Sequence, residues 1–305
     1  MNRLIQLPEK FIHTIMGVHQ EKGALWLEHF EELIQYCENR WSFQVQAAYP
    51  LSFNFVAPVL FHNGTEAVLK LGVPNKELIT EAEALRIYKG NGCARLWDAD
   101  TDKGILILEK ATPGHTLKTV VDDDEAVRLA AAVMRKLQVP PPLRPLFPST
   151  ADWAKGFDKL RTRYHGSTGP LPERMVRKAE EWFAKLHKTW RNPQLLHGDL
   201  HHENLLSAER EPYIAIDPKG LIGELEYGVI SFLMNNLPEK HPSDIIRRRI
   251  ELFSTELTLD PVRIITWGYC HAVLSAWWCV EDQVGDPLKS LELAAVFEKL
   301  LEEKA

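Results

Sequence analysis

The spacing of apolar residues changes twice along the 305-residue chain. Phe11, Ile15 and Val18, then Leu25, Leu27, Phe30, Leu33 and Ile34, recur at helical intervals, which predicts two amphipathic helices over residues 8–40 with a break at Gly23. From Trp41 the pattern becomes strand-like. SFQVQAAYP, FNFVAPVLF and EAVLKLG are short and rich in β-branched and aromatic residues, and Asn63-Gly64 between the last two is a hairpin signal, so an antiparallel sheet is expected. Helical spacing returns in NKELITEAEALRIYKG, which stops on a glycine, and two more strands are expected at ARLWDAD and GILILEK.

Beyond Ala111 helices dominate. DDDEAVRLAAAVMRKLQ carries acids in its first turn, where they meet the positive end of the helix dipole, and LPERMVRKAEEWFAKLHKTW is a second helix. Everything after Glu226 reads as helical, including a strongly apolar segment with Trp267, Trp277 and Trp278. VPPPLRPLFPST is a proline-rich connector, and β signal returns only in NLL and YIAID. The pattern therefore predicts an α+β chain: a small antiparallel β-sheet lobe over residues 1–110 and a larger, mostly helical lobe over residues 111–305.

Composition narrows the function classes. A hydrophobic content of 45% supplies a core, and a net charge of -6 with dispersed Lys and Arg leaves no footprint for nucleic acid and no polybasic membrane patch. Cationic or neutral ligands suit that balance. Cys37, Cys93, Cys270 and Cys279 lie far apart with no C-x-x-C pair, as reduced core thiols do. MNRLIQLPEK lacks an apolar signal core, and no stretch approaches the roughly 18 apolar residues of a membrane span. A cytoplasmic protein with a small-molecule partner is expected; its oligomeric state is not legible.

Chemistry concentrates in QLLHGDLHHENLL, residues 194–206. His197, Asp199, His201 and His202 are all possible zinc ligands, so a metal-dependent hydrolase is one reading, although the paired-histidine spacing of those enzymes is absent. A polar loop with core-packed histidines is another. The loop has company, however: Asn204 follows Asp199 by five positions, Asp217 ends the apolar run YIAI, and Lys70 lies on the third expected strand. Phosphoryl transfer from a nucleotide needs a carboxylate for the accepting hydroxyl, two oxygen ligands for Mg²⁺ and a lysine on the phosphates, and Asp199, Asn204, Asp217 and Lys70 match that set.

H-G-D-x-H-x-x-N followed by I-D resembles the aminoglycoside phosphotransferase branch of the protein-kinase-like fold. SFNFVAPVL, NGTEAVLKLG, EAEALRIY, HGDLHHENLL and IDPKGLIGELEY are similar to its streptomycin 6-kinase and hydroxyurea phosphotransferase group. The resemblance implies a bilobal kinase fold, ATP and Mg²⁺ as cofactors, Asp199 as the catalytic carboxylate, Asn204 and Asp217 as metal ligands, and Lys70 on the phosphates with Glu81 as its partner. Glu83 is the fallback for Glu81. It further implies that backbone groups of Glu109 to Ala111 meet the adenine, and that Ser52, with Asn54, replaces the missing glycines of the phosphate-covering loop in YPLSFNF. His197 is expected to brace the loop, with a general base as the rival role.

Two departures from protein kinases bear on the substrate. Gly198 stands where they carry the arginine that reads a phosphorylated activation loop, and Pro218 with KGLIGELEYG replaces the peptide-docking segment. A small acceptor is implied. Glu224, Glu226, Glu281 and Asp282 are candidates for a cation-binding rim. A non-catalytic nucleotide-binding relative is the competing reading, against which stands the presence of all four polar residues.

Overall fold

A computed structural model describes residues 5–304 and divides the chain into two compact units, 1–114 and 115–305. Part of the opening MNRLIQLPEK, residues 1–4, lies outside the described residues. In the first unit, helices α1 (Glu9–Glu28) and α2 (Phe30–Trp41) precede strands β1 (Phe43–Val45), β2 (Phe55–Phe61) and β3 (Glu66–Leu71), helix α3 (Lys76–Tyr88), and strands β4 (Leu96–Asp100) and β5 (Ile105–Glu109). The strands form one antiparallel sheet in the order β1-β2-β3-β5-β4. The hairpin at Asn63-Gly64 is present: the Asn63 side chain accepts from Thr65 N at 3.0 Å, and Gly64 takes φ +86°, a conformation glycine adopts without steric cost.

The break expected at Gly23 lies elsewhere. Gln20 holds the non-helical φ/ψ inside α1, and α1 gives way to α2 at His29. Gly23 serves close approach instead, since a Cβ there would lie 2.5 Å from the Ile15 carbonyl oxygen. The folded-back helices bury Phe11, Trp26 and Phe30 in an aromatic file that reaches Phe55 of the sheet, with ring centroids 6.3, 5.2 and 5.0 Å apart. Ala67, Leu69 and Leu71 of β3 join this core. Because side chains alternate across a strand, Lys70 points to the opposite face.

The second unit opens at β6 (Pro113–Thr116), which crosses the unit boundary and heads a three-stranded sheet, β6-β8-β9. Helices α4 (Asp123–Lys136), α5 (Thr150–Ala154), α6 (Gly156–Arg163) and α7 (Glu173–Lys188) follow. Four short strands come next, β7 (Gln194–Leu196), β8 (Leu205–Ala208), β9 (Tyr213–Ala215) and β10 (Leu221–Gly223). The chain ends in α8 (Leu225–Gly228), α9 (Ile230–Met234), α10 (Pro242–Leu257), α11 (Pro261–Asp282) and α12 (Pro287–Glu302). Strands β6, β7 and β10 go beyond the two expected here, because runs of three or four residues show no period. Among the described residues no helix is long and apolar enough to cross a membrane.

Candidate active site

In the second unit, β7 pairs antiparallel with β10 and β8 with β9. Loop 197–204 links β7 to β8, and loop 216–220 links β9 to β10, so these pairings put both loops at one end of the strands. His197 ties them together. Its Nε2 donates to the Ile216 carbonyl at 2.8 Å, its Nδ1 accepts from Asp199 N at 3.3 Å, and its own carbonyl accepts from Lys219 N and Gly220 N. Both ring nitrogens are thereby committed, which leaves no lone pair for a base or for zinc. Burial holds its pKa down at about 4, so the ring is neutral near pH 7.

Gly198 adopts φ +87°, and a Cβ there would sit 3.1 Å from Lys219 Cβ. Glycine is what lets the loop turn under its neighbour. Asn204 is fixed as tightly: its Nδ2 donates to the Asp199 carbonyl at 2.9 Å and lies 3.2 Å from His201 Nε2, while its carbonyl accepts from Ile216 N at 3.0 Å. With the amide hydrogens spoken for, Oδ1 is the atom left to bind something else. Asp217 follows Ile216 directly and sits in the left-handed region at φ +57°, a strained conformation that Asp tolerates better than most residues and that recurs at functional sites.

The loop rests on a rigid base. His202 is buried, stacks on Phe232 with centroids 4.0 Å apart, and meets Asn235 Oδ1 through Nδ1 at 3.0 Å. Arg249, also buried, donates to the carbonyls of Phe232 and Asn235 and pairs with both carboxylate oxygens of Asp123. Asp199, by contrast, keeps its side chain 38% exposed, 3.8 Å from His201 Nε2. A fixed backbone thus presents one accessible carboxylate, with the Asn204 amide on the same loop and Asp217 on the loop that the Ile216–Asn204 backbone bond ties to it. Hard oxygen donors in this number suit Mg²⁺, which keeps water and phosphate oxygens for its remaining positions. Among the described residues no group of three or more His, Cys, Asp or Glu is arranged as a metal cage.

The first unit holds the lysine. Lys70, 4% exposed on the central strand β3, puts Nζ 2.7 and 2.9 Å from the two carboxylate oxygens of Glu81 on α3. Glu83 instead pairs with Arg86. Asn75 caps α3 by accepting from Leu78 N, which sets the phase that turns Glu81 inward. Desolvation makes a buried ion pair a poor route to stability, so its presence on an otherwise apolar face calls for a functional reason.

Of the loop before β2, Ser52 is exposed, whereas Asn54 Oδ1 packs onto Gly72, 2.3 Å from where a Cβ would stand. Glu109 is tied to Arg95 twice, backbone N–H to Arg95 O at 2.8 Å and carboxylate from Arg95 N at 2.9 Å. Ala111 follows it, half-buried, just beyond β5.

The expected cation-binding rim does not form as a group. Glu224 is wholly buried; it accepts from Arg263 Nε and Nη2 at 2.7 and 2.8 Å and from Trp267 Nε1 at 2.9 Å. Arg263 in turn donates to the carbonyls of Leu186 and Thr189, so the pair locks the end of α7 to α11. Glu226 is half-buried, its carboxyl pushed up by burial; Glu281 lies 3.5 Å from Lys159, and Asp282 is exposed. Glu224→Ala strands a buried guanidinium, and unfolding in urea is expected to show a loss of roughly 3–5 kcal/mol. A loss below about 1 kcal/mol would remove the pair from this role.

Sequence reading passed over His271, Tyr227 and Trp153, and took Trp278 only as part of an apolar helix. Tyr227 OH meets His271 Nδ1 at 2.7 Å, and Asp199 is close enough for its charge to act on the His271 ring. A histidine inside the apolar run of α11 was the available signal.

The family described as aminoglycoside/hydroxyurea antibiotic resistance kinase matches residues 40–283. The chain belongs to this family. Its relatives include a streptomycin 6-kinase of Streptomyces griseus, 29% identical over 296 residues, covering 91% of this chain and 92% of the relative. A hydroxyurea phosphotransferase of Kitasatospora aureofaciens is 30% identical over 304 residues, covering 96% and 86%. Among solved structures, an amicoumacin kinase in complex with AMP-PNP, Ca²⁺ and Ami aligns with a TM-score of 0.65 at 15% identity, covering 94% of this chain and 96% of that one. The choline kinase LicA of Streptococcus pneumoniae gives 0.65 at 13%, covering 89% and 99%. The fold is therefore protein-kinase-like, and this resistance-kinase relative is a small-molecule phosphotransferase.

Proposed function

We propose that the chain transfers the γ-phosphate of ATP to a hydroxyl of a small molecule, an aminoglycoside such as streptomycin or hydroxyurea. The observation that carries this reading is the division of labour in loop 197–204: the His197 ring, the Asp199 backbone and Asn204 Nδ2 are bound within the protein, while the Asp199 carboxylate stays accessible and Asn204 Oδ1 is left to bind something else. Asp199 orients the acceptor hydroxyl and takes its proton as the oxygen attacks the γ-phosphorus in line, the bond to the β–γ bridging oxygen breaks and ADP leaves. Asn204 and Asp217 hold Mg²⁺, which when bound neutralises charge on the phosphates. Lys70, held straight by Glu81, serves the α- and β-phosphates; Ser52 contributes a hydroxyl to them, and backbone groups of Glu109 to Ala111 meet the adenine.

The test is transfer of labelled phosphate from ATP to streptomycin and to hydroxyurea with and without Mg²⁺. A labelled, Mg²⁺-dependent product from either compound is expected. Failure to bind ATP, or stoichiometric zinc in the purified protein, would overturn the reading.

A further inference from the structure

Tyr227 is buried, and its ring is wedged at right angles to Trp267, 5.2 Å away, and against Trp153 at 6.0 Å. Its hydroxyl has one polar neighbour among the described residues, His271 Nδ1 at 2.7 Å. A buried hydroxyl hydrogen left without an acceptor is costly, so the tyrosine is the donor and Nδ1 the acceptor. That choice fixes the tautomer. In a neutral imidazole the proton then resides on Nε2, and burial keeps this ring neutral, with its pKa down at about 4. The ring cannot swing away, because Trp278 abuts it edge-on at 5.6 Å and Trp278 is braced by Trp153 at 5.3 Å. Nε2–H has no partner among the described residues, and Asp199 is the acid whose charge reaches this ring.

We propose that His271 binds the acceptor substrate, donating from Nε2–H to a second oxygen that lies three bonds from the hydroxyl oxygen taken by Asp199. Tyr227 is its positioning residue. The inference rests on the kinase reading and names the substrate pattern for it: a hydroxyl and an oxygen acceptor in an O–X–C–O arrangement. A vicinal diol has that arrangement, and so does the N-hydroxy amide of hydroxyurea, in which the carbonyl oxygen stands where the second hydroxyl of the diol would. One donor beside one proton acceptor therefore reads two otherwise unlike molecules. Trp278, braced by Trp153, lies edge-on against the ring that carries the donor.

Two measurements test this. Nitrogen-15 NMR of the labelled histidines in the intact protein at pH 7 is expected to show His271 with a bare Nδ1 and a protonated Nε2; the reverse tautomer, or a mixture, overturns the proposal whether or not a substrate is known. In kinetics with streptomycin and hydroxyurea, His271→Phe keeps the ring and removes the donor, so the acceptor KM is expected to rise about tenfold while the KM for ATP holds. His271→Gln, whose amide reaches the Nε2 position, is expected to recover most of that loss, and Tyr227→Phe to lose part of it by freeing the tautomer. An unchanged acceptor KM in His271→Phe, or equal losses in Phe and Gln, overturns the proposal. Inability of the unmutated chain to bind ATP would instead strike the kinase reading, leaving the NMR result to judge His271.

Discussion

Asp199→Asn is expected to transfer phosphate at least about a hundredfold more slowly while binding Mg-ATP with unchanged affinity. The substitution keeps size and polarity, and the groups that fix the loop at this residue are its backbone N–H, bound to His197 Nδ1, and its carbonyl, bound to Asn204 Nδ2. The side chain itself is accessible and carries no packing load. An amide can still orient a hydroxyl but cannot accept its proton, and about a hundredfold is the lower range for a positioned acid–base group. Single-turnover transfer separates the chemical step from product release, and calorimetry reads nucleotide affinity on the same protein. Transfer at the unmutated rate would take Asp199 out of the reaction. If bound zinc fell and ATP made no difference, the metal-hydrolase reading would stand in its place.

How much of this was open to sequence reading depends on the range of the interaction concerned. Asn63-Gly64, the acids opening α4 and the two-residue period of β3 act within a few residues, and their elements are where local chemistry puts them. Gly23 misled because glycine marks both helix breaks and close backbone approaches, and here the Ile15 carbonyl decides for the second. Ser149 and Asp152 form a capping box that starts α5, a legible signal left unread among the prolines around it. Strands β7 and β10 exist through their pairing with each other, which no run of three residues announces.

The same division runs through the site. Spacing alone could not choose between Glu81 and Glu83; the phase of α3 turns Glu81 toward Lys70 and leaves Glu83 to Arg86. Glu224 looked like a surface acid until Arg263, thirty-nine residues later, gave it a buried partner. The tautomer of His271 depends on a tyrosine forty-four residues away. Long-range hydrogen bonds fix these roles, and spacing along a single sequence does not show which partners will meet.

Asp217 gives the other large effect. Removing its carboxylate takes away one of two proposed oxygen ligands to Mg²⁺, so turnover is expected to fall by at least a hundredfold, roughly 3 kcal/mol or more of transition-state stabilisation. Two substitutions are needed to read it cleanly. Ala suits the left-handed backbone at φ +57° less well than Asp, so Asp217→Ala is expected to lose about 1–2 kcal/mol of stability on top of its activity. Asn tolerates that conformation and removes only the charge, so Asp217→Asn is expected to melt near the unmutated temperature yet remain almost inactive. Titrating Mg²⁺ at fixed ATP then separates a metal ligand from a backbone device: as a ligand, Asp217 sets how much metal is needed, and both variants shift the requirement upward. Were Asp217→Asn to keep its rate and its Mg²⁺ dependence while Asp217→Ala lost both, the left-handed turn itself would be what the loop requires, and the second oxygen ligand would have to be sought elsewhere.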